Sequence, residues 1–140
     1  MHGGRGFERA TDGCPRGYRI VSVDGTRITH RYQSSCESRV DRQGEFMGLG
    51  GRVPAKKDAV FTFNCYDAPN GSTARARIDE GPWQTMVHFK YKSSPIDKPH
   101  HWRLVTDTAK LSPGRHTIQA QVTWPDGTVV VEKETFAVAE

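Results

Sequence analysis

The sequence of 140 residues has room for one domain of ordinary size, because single domains usually comprise about 100 to 150 residues. Hydrophobic residues make up 35% of the chain and charged residues 26%, a balance that is typical of a globular protein and excludes a chain disordered throughout. The net charge of +4 comes from basic residues scattered among acidic ones, without the dense basic run that indicates nucleic-acid binding. No stretch approaches the roughly 18 apolar residues of a membrane span.

The chain begins with a polar segment followed by a predicted β-hairpin. Residues 1–13 contain no apolar run and therefore no signal peptide, which indicates a cytoplasmic chain and leaves export of a longer parent protein open. Residues 17–32 form two β-rich runs joined at Asp24-Gly25, a dipeptide that favours the positive φ angles of a tight turn. One side of the returning strand is half apolar and needs cover; it consists of Ile28, His30 and Tyr32.

Residues 33–57 show neither strand nor helix periodicity and contain four glycines. We predict a linker here, because a structureless loop of this length is uncommon inside a compact domain. The linker would separate an N-terminal unit, residues 1–32, from a domain at residues 58–140.

The domain at residues 58–140 is predicted to be all β. Seven or so short segments alternate apolar and polar positions between turn residues, a pattern typical of an immunoglobulin-like antiparallel β-sandwich. The predicted inward positions are Phe61, Phe63, Cys65, Ala74, Ala76, Ile78, Trp83, Val87, Phe89, Tyr91, His116, Ile118, Ala120, Val122 and Trp124. In the last strand the apolar residues change phase, from odd-numbered valines to Phe136 and Val138, so we expect a bulge near Lys133.

Four motifs occur in order: D-G-x-P-x-G-Y at Asp12–Tyr18, D-x-G-x-W-Q-x-M at Asp79–Met86, H-x-W at His100–Trp102 and L-x-P-G-x-H-T at Leu111–Thr117. With this order and spacing the chain resembles the C-terminal region of bacterial calcineurin-like metallophosphoesterases, namely the closing hairpin of the catalytic domain and the appended C-terminal domain. In that family two metal ions are held by D-x-H, G-D, G-N-H-[DE] and G-H-x-H motifs. This sequence has none of them. The resemblance therefore implies an accessory β-sandwich module without the two-metal catalytic core.

The histidines and cysteines support an alternative, a free-standing small zinc-dependent hydrolase. Thiolate and imidazole are ligands that Zn²⁺ prefers, and a site with three protein ligands keeps a position open for water. Such a water, with a pKa of about 7, would attack phosphodiesters or related esters. The candidate zinc ligands are Cys14, Cys36, His100 and His101.

Three arginines on predicted strands are candidates for holding an anionic substrate: Arg75, Arg77 and Arg103. The ordinary interpretation of these arginines is a solvated strand surface. A third class of function, a carbohydrate- or cell-surface-binding sandwich, would use the three tryptophans to line a groove. Trp83, Trp102 and Trp124 all fall on inward positions, which favours a role in the core.

The predicted hairpin at residues 17–32 also bears on partners. By itself it leaves a half-apolar face and unpaired strand edges, which proteins relieve by pairing with another copy. We therefore expect a homodimer through this hairpin. The family resemblance adds a phosphoesterase catalytic domain as a second candidate partner.

Overall fold

The computed structural model describes residue 10, residues 13–89 and residues 100–139. The strands are β1 (Gly17–Asp24), β2 (Arg27–Ser34), β3 (Gly44–Met47), β4 (Arg52–Val53), β5 (Ala59–Cys65), β6 (Thr73–Ile78), β7 (Gln84–Thr85), β8 (Val87–Phe89), β9 (His101–Thr106), β10 (Gly114–Thr123) and β11 (Val129–Val138). A short 3-10 helix, Thr108–Lys110, follows β9. The predicted strand end at Tyr91 lies outside the described residues.

The strands form a sandwich of two sheets and a separate hairpin. The first sheet has five strands in the order β4-β11-β10-β6-β7, and the second has four in the order β3-β5-β9-β8. Neighbouring strands are antiparallel, apart from the parallel pair of β4 and β11. The hairpin consists of β1 and β2. This architecture confirms the predicted all-β sandwich. No helix in the described part of the chain is long and apolar enough to cross a membrane.

Apolar side chains from both sheets fill the space between them. Phe61 of β5 contacts Phe136 of β11 edge to face, with ring centroids 5.2 Å apart, and so joins the two sheets. Each large apolar side chain buried here stabilises the fold by roughly 1.5–3 kcal/mol. The alternation predicted for three strands is confirmed, because the buried residues of β5, β6 and β10 include Phe61, Phe63, Cys65, Ala74, Ala76, His116, Ile118, Ala120 and Val122.

The strand predicted from Trp83 onward changes sheet at Met86. Residues before this point form β7, which pairs with β6, and residues after it form β8, which pairs with β9. Met86 is buried, whereas Val87 is exposed and Trp83 is only partly buried. The predicted inward positions of Trp83, Val87 and Phe89 are therefore wrong, because the crossover interrupts the alternation that one continuous strand would have. Phe89 is opposite the outward His101.

The predicted bulge near Lys133 is also wrong. β11 pairs with β10 without interruption, from Val129 opposite Thr123 to Val138 opposite Gly114. The even-numbered residues of β11 face inward along its whole length, and two of them are glutamates. The apolar pattern changes phase in the sequence because charged side chains occupy inward positions.

Glu132 is the more buried of the two glutamates, with 5% of its surface exposed. It accepts hydrogen bonds from the Arg39 guanidinium and, at 2.8 Å, from the backbone N–H of Gln43. Two donors, one of them charged, compensate the loss of water around this carboxylate.

Glu134, two residues further along β11, is bonded to residues 42 and 46. It accepts from Arg42 at 3.1 Å and from the backbone N–H of Phe46 at 3.1 Å. Burial raises the pKa of Glu134, and these contacts oppose that shift.

Residues 33–57, predicted to be a linker, thus contribute to both sheets. β3 pairs with β5 and β4 pairs with β11. Gly44 lets β3 approach β5 closely, since a Cβ at this position would lie 2.4 Å from Cζ of Phe63. These strands have four and two residues, too few to produce a periodic signal. The division of the chain into three units stays a prediction.

Candidate functional site

The base of the hairpin packs on one end of the sandwich. Arg19 of β1 donates two hydrogen bonds to the Asp67 carboxylate, each 2.5 Å long. The His30 ring lies 5.2 Å from the Trp124 ring, centroid to centroid. This face of the hairpin is therefore held by an ion pair and an aromatic contact.

Tyr32 extends the same contact surface. Its ring lies 5.8 Å from that of Tyr66, and its hydroxyl donates to the carbonyl of Pro15. The Gln43 side chain bonds both backbone groups of Tyr32: the amide Nε2 donates to the carbonyl at 2.7 Å, and Oε1 accepts from the N–H at 2.9 Å. Gln43 takes the place of a neighbouring strand at this residue, which limits the sliding of β2.

The tip of the hairpin extends beyond this contact and is exposed. Val21, Val23 and Ile28 are 54%, 68% and 69% exposed. In the register of the hairpin, Val23 is opposite Ile28 and Val21 is opposite His30, so these side chains share the face that packs on the sandwich at its base. Near its base this face contacts the sandwich through Arg19, His30 and Tyr32, and near the tip it exposes Val21, Val23 and Ile28.

Two of the predicted zinc ligands lie near the outer side of the four-stranded sheet. Gly13 is so close to the His101 ring that a Cβ on it would lie 2.9 Å from Cε1. Asn64 donates to the Gly13 carbonyl at 3.0 Å and is opposite His101 in the sheet. Cys14 follows directly and is buried. The segment around Gly13 therefore covers His101 and Asn64 and brings Cys14 into the same region.

The other two predicted zinc ligands are engaged elsewhere. His100 Nδ1 lies 2.7 Å from the carbonyl of Ala68, which favours the tautomer protonated on Nδ1. Cys36 is exposed, and its backbone N–H donates to the Ser34 hydroxyl. Among the residues that the structure describes, no three His, Cys, Asp or Glu side chains are grouped closely enough to hold a metal ion. The zinc site stays a prediction.

Cys65 is a buried thiol that belongs to the core. Burial raises its pKa to about 12. At neutral pH the protonated thiol is therefore the stable form, and this cysteine is unsuited to be a nucleophile.

Two of the three predicted anion-binding arginines come together. Cζ of Arg75 lies 4.6 Å, and Cζ of Arg77 4.8 Å, from the centre of the Trp83 ring. Gln121 accepts from Nη2 of Arg75 at 3.0 Å, and Gln119 accepts from Nε of Arg77 at 3.0 Å. The stacking and the hydrogen bonds fix both guanidinium groups on the outer face of the five-stranded sheet.

Arg103, the third of these arginines, lies on the other sheet. It belongs to β9, and its Cζ is 4.1 Å from the centre of the Phe89 ring. The structure therefore separates Arg103 from the Arg75–Arg77 pair, and the three do not form a single anion site.

Sequence reasoning missed the contact between His116 and Asp79. Nδ1 of His116 is 2.8 Å from Oδ2 of Asp79, and Nε2 is 2.8 Å from the carbonyl oxygen of Ser112. Both ring nitrogens face acceptors, so the imidazole donates twice when it is protonated. The Asp79 carboxylate, and next the Ser112 carbonyl, raise the pKa of His116. In the sequence, the one indication of a role for these residues is that Asp79 and His116 each belong to one of the four ordered motifs.

Comparison with solved structures defines the class of fold. An endo-β-1,4-mannanase from Thermotoga petrophila is similar, with a TM-score of 0.53 and 14% identity over 76% of this chain and 22% of that one. CopC from Methylosinus trichosporium OB3b aligns with a TM-score of 0.37 and 21% identity, over 62% of this chain and 80% of that one. The chain spans only 22% of the mannanase, and at 14% identity this likeness concerns the fold alone. No curated protein matches the chain.

A protein-family comparison identifies the sandwich more closely. Residues 3–123 match the family described as the C terminal of calcineurin-like phosphoesterase. The chain belongs to this family, and the predicted resemblance is confirmed.

Proposed function

We propose that this chain is an accessory, non-catalytic module of a calcineurin-like phosphoesterase and that the hairpin tip is its contact surface for the catalytic domain. The observation that carries the proposal is the exposed apolar half of a hairpin whose other half is fixed to the sandwich. Membership of the family supplies the partner.

The chemistry of the hairpin tip suits a protein partner. Val21, Val23 and Ile28 form a contiguous apolar patch on two paired strands, and such patches are typical of interaction sites. Because Arg19 and Tyr32 hold the base of the hairpin, little conformational entropy is lost when the tip binds.

The sequence supports assigning catalysis to the partner domain and an accessory role to this chain. The metal-binding motifs of the family are missing from this chain, so the catalytic domain would supply the phosphoester chemistry. The module would orient that domain or shape the entrance to its active site.

The proposal is tested by mixing the purified chain with a calcineurin-like phosphoesterase catalytic domain from the same genome and measuring co-elution. We expect a complex with the wild-type chain and its loss in the double variant Val23→Lys, Ile28→Lys. The matched control is Val105→Lys, at a similarly exposed valine on the four-stranded sheet. Retention of the complex by the hairpin variant, or equal loss in the control, would contradict the proposal.

The same face accounts for the proposed homodimer. When no catalytic domain is present, a second copy is the partner that covers the tip, by pairing hairpin with hairpin. Within the described residues β1 and β2 pair with no other strand, and Gln43 covers the outer edge of β2 at Tyr32, so the edge of β1 is the one proposed for such pairing.

A further inference from the structure

The outer face of the five-stranded sheet carries a concentration of positive charge. Its outward positions hold five basic residues: Arg52, Arg75, Arg77, Arg115 and Lys133. The outward positions of β6, β10 and β11, which are described in full, contain no carboxylate. We call these five residues the basic face.

The separation of charge arises from the alternation of β11. Glu132 and Glu134 point inward, to Arg39 and Arg42, whereas Lys133 between them points outward. The two carboxylates of β11 therefore neutralise Arg39 and Arg42 and do not neutralise the basic face.

The basic face is preorganised at its centre. Arg75 and Arg77 lie two residues apart on β6, about 6.6 Å along the strand, and Lys133 lies two strands away, about 10 Å across the sheet. The Trp83 ring and two glutamines hold both guanidinium groups. Among the described residues, the carboxylate that contacts this pair belongs to Glu80, 3.0 Å from Arg77, and its side chain is 79% exposed. An incoming anion can replace it at small cost.

The groups between the cations are hydrogen-bonding rather than apolar. The outward positions include hydroxyl and amide side chains, namely Thr73, Thr117, Gln119, Gln121, Thr123 and Thr135. A protein partner would require an apolar centre in the interface, which this face lacks apart from Val129 and Val131 at one edge. Single-stranded nucleic acid would require an open aromatic ring for base stacking, and the Trp83 ring is covered by arginines.

We propose that the basic face binds an acidic polysaccharide, a chain that carries carboxylate or sulfate groups among hydroxyls. The guanidinium groups of Arg75 and Arg77 pair with the anionic groups, since planar guanidinium donors match carboxylate geometry. The threonine and glutamine side chains bond the sugar hydroxyls. The outward positions are exposed or half-buried, so affinity comes from several weak contacts along an extended ligand.

The test is titration of the full chain with polygalacturonate and with dextran sulfate at low salt, with unsulfated dextran as the neutral control. We expect binding of both acidic polymers and none of dextran. Arg75→Gln, Arg77→Gln should weaken binding about tenfold and reduce the slope of log affinity against log salt by about 2, because two cations are removed. The matched control is Arg103→Gln, an arginine stacked on an aromatic ring of the opposite sheet.

A change in Trp83 fluorescence on binding, lost in Trp83→Phe, reports contact at the face itself and does not depend on the arginine variants. Thermal melting of each variant verifies that the fold is intact. Equal weakening by Arg103→Gln would overturn the proposal, because net charge alone would then account for binding. Failure of both acidic polymers to bind, or tighter binding of duplex DNA, a polyglutamate peptide or anionic vesicles at equal charge concentration, would overturn it as well.

Discussion

At the scale of single residues, His116 and Asp79 tie a turn to the start of β10. Asp79 adopts a positive φ of 51°, and its carboxylate accepts from both His116 and the backbone N–H of Thr117. These contacts, His116 first, lower the pKa of Asp79. The His116 charge therefore stabilises a turn whose backbone is strained.

The pair makes stability depend on pH in a defined window. His116 has a raised folded pKa, so its contribution is complete below the ordinary value of 6.5 and is lost as the pH rises through the raised value. Asp79 has a lowered folded pKa, so its contribution is present above 3.8 and is lost as the pH falls through the lowered value. The pair stabilises the fold fully between these ordinary values.

We expect His116→Gln to reduce the free energy of unfolding by about 1 kcal/mol at about pH 5.5, with a smaller loss at about pH 9. Urea unfolding at the two pH values measures the difference. Asp79→Asn and the double variant complete a double-mutant cycle. A loss that is equal at both pH values would show that the contact stabilises the fold without the charge.

Glu132 offers a second test at this scale. Glu132→Ala should lower the free energy of unfolding by about 3 kcal/mol, because it leaves the Gln43 N–H and Arg39 without their buried acceptor. Glu80→Ala, which removes an exposed carboxylate, should cost less than about 0.5 kcal/mol. Denaturant unfolding compares the two, and similar losses would refute the structural role given to Glu132.

At the scale of elements, the hairpin depends on side chains that come from outside it. Gln43 supplies the hydrogen bonds that a third strand would otherwise make with Tyr32. Arg19 and His30 reach the sandwich at Asp67 and Trp124. One of these partners, Gln43, belongs to residues 33–57, for which the sequence predicts a linker.

We expect Gln43→Ala to accelerate hydrogen exchange in β2 while leaving β10 unchanged, because the hydrogen bonds that the variant removes are those to the backbone of Tyr32 and to the neighbouring Arg42 carbonyl. Exchange followed by mass spectrometry measures both strands. The control is Gln121→Ala, which removes a glutamine from the surface of the sandwich. Faster exchange throughout the chain would mean that Gln43 stabilises the whole fold rather than the hairpin.

At the scale of the whole molecule, light scattering tests the homodimer. The wild-type chain should have twice the mass of one copy, and Val23→Lys, Ile28→Lys should have the mass of one copy, because charged side chains replace the exposed apolar ones that the second copy would cover. Val105→Lys should remain dimeric. A monomeric wild type would remove the proposed dimer and leave the contact with a catalytic domain to be judged separately.

Metal analysis separates the accessory module from a free-standing zinc hydrolase. For an accessory module we expect well under one zinc per chain. We also expect no chelator-sensitive turnover of a chromogenic phosphodiester. One zinc per chain and chelator-sensitive turnover, both lost in Cys14→Ser and in His101→Gln, would instead establish the hydrolase.

The sequence alone determined the features that depend on neighbouring residues. Alternation predicted the inward rows of β5, β6 and β10, and the ordered motifs predicted the family. The dipeptide Asp24-Gly25 predicted a hairpin turn, which the structure places one residue later, at residues 25 and 26, since Asp24 pairs with Arg27. Side chains two residues apart share a face in any strand, so these signals are local and survive without knowledge of the fold.

Only the tertiary structure decided the features that join distant parts of the chain. Arg39 and Glu132 are 93 positions apart, and nothing near Glu132 in the sequence indicates that an inward glutamate has a partner. Three other features depend likewise on which strands become neighbours: the crossover at Met86, the short strand β3 and the separation of Arg103 from Arg75. Packing and charge pairing act through space, so a linear pattern does not specify them.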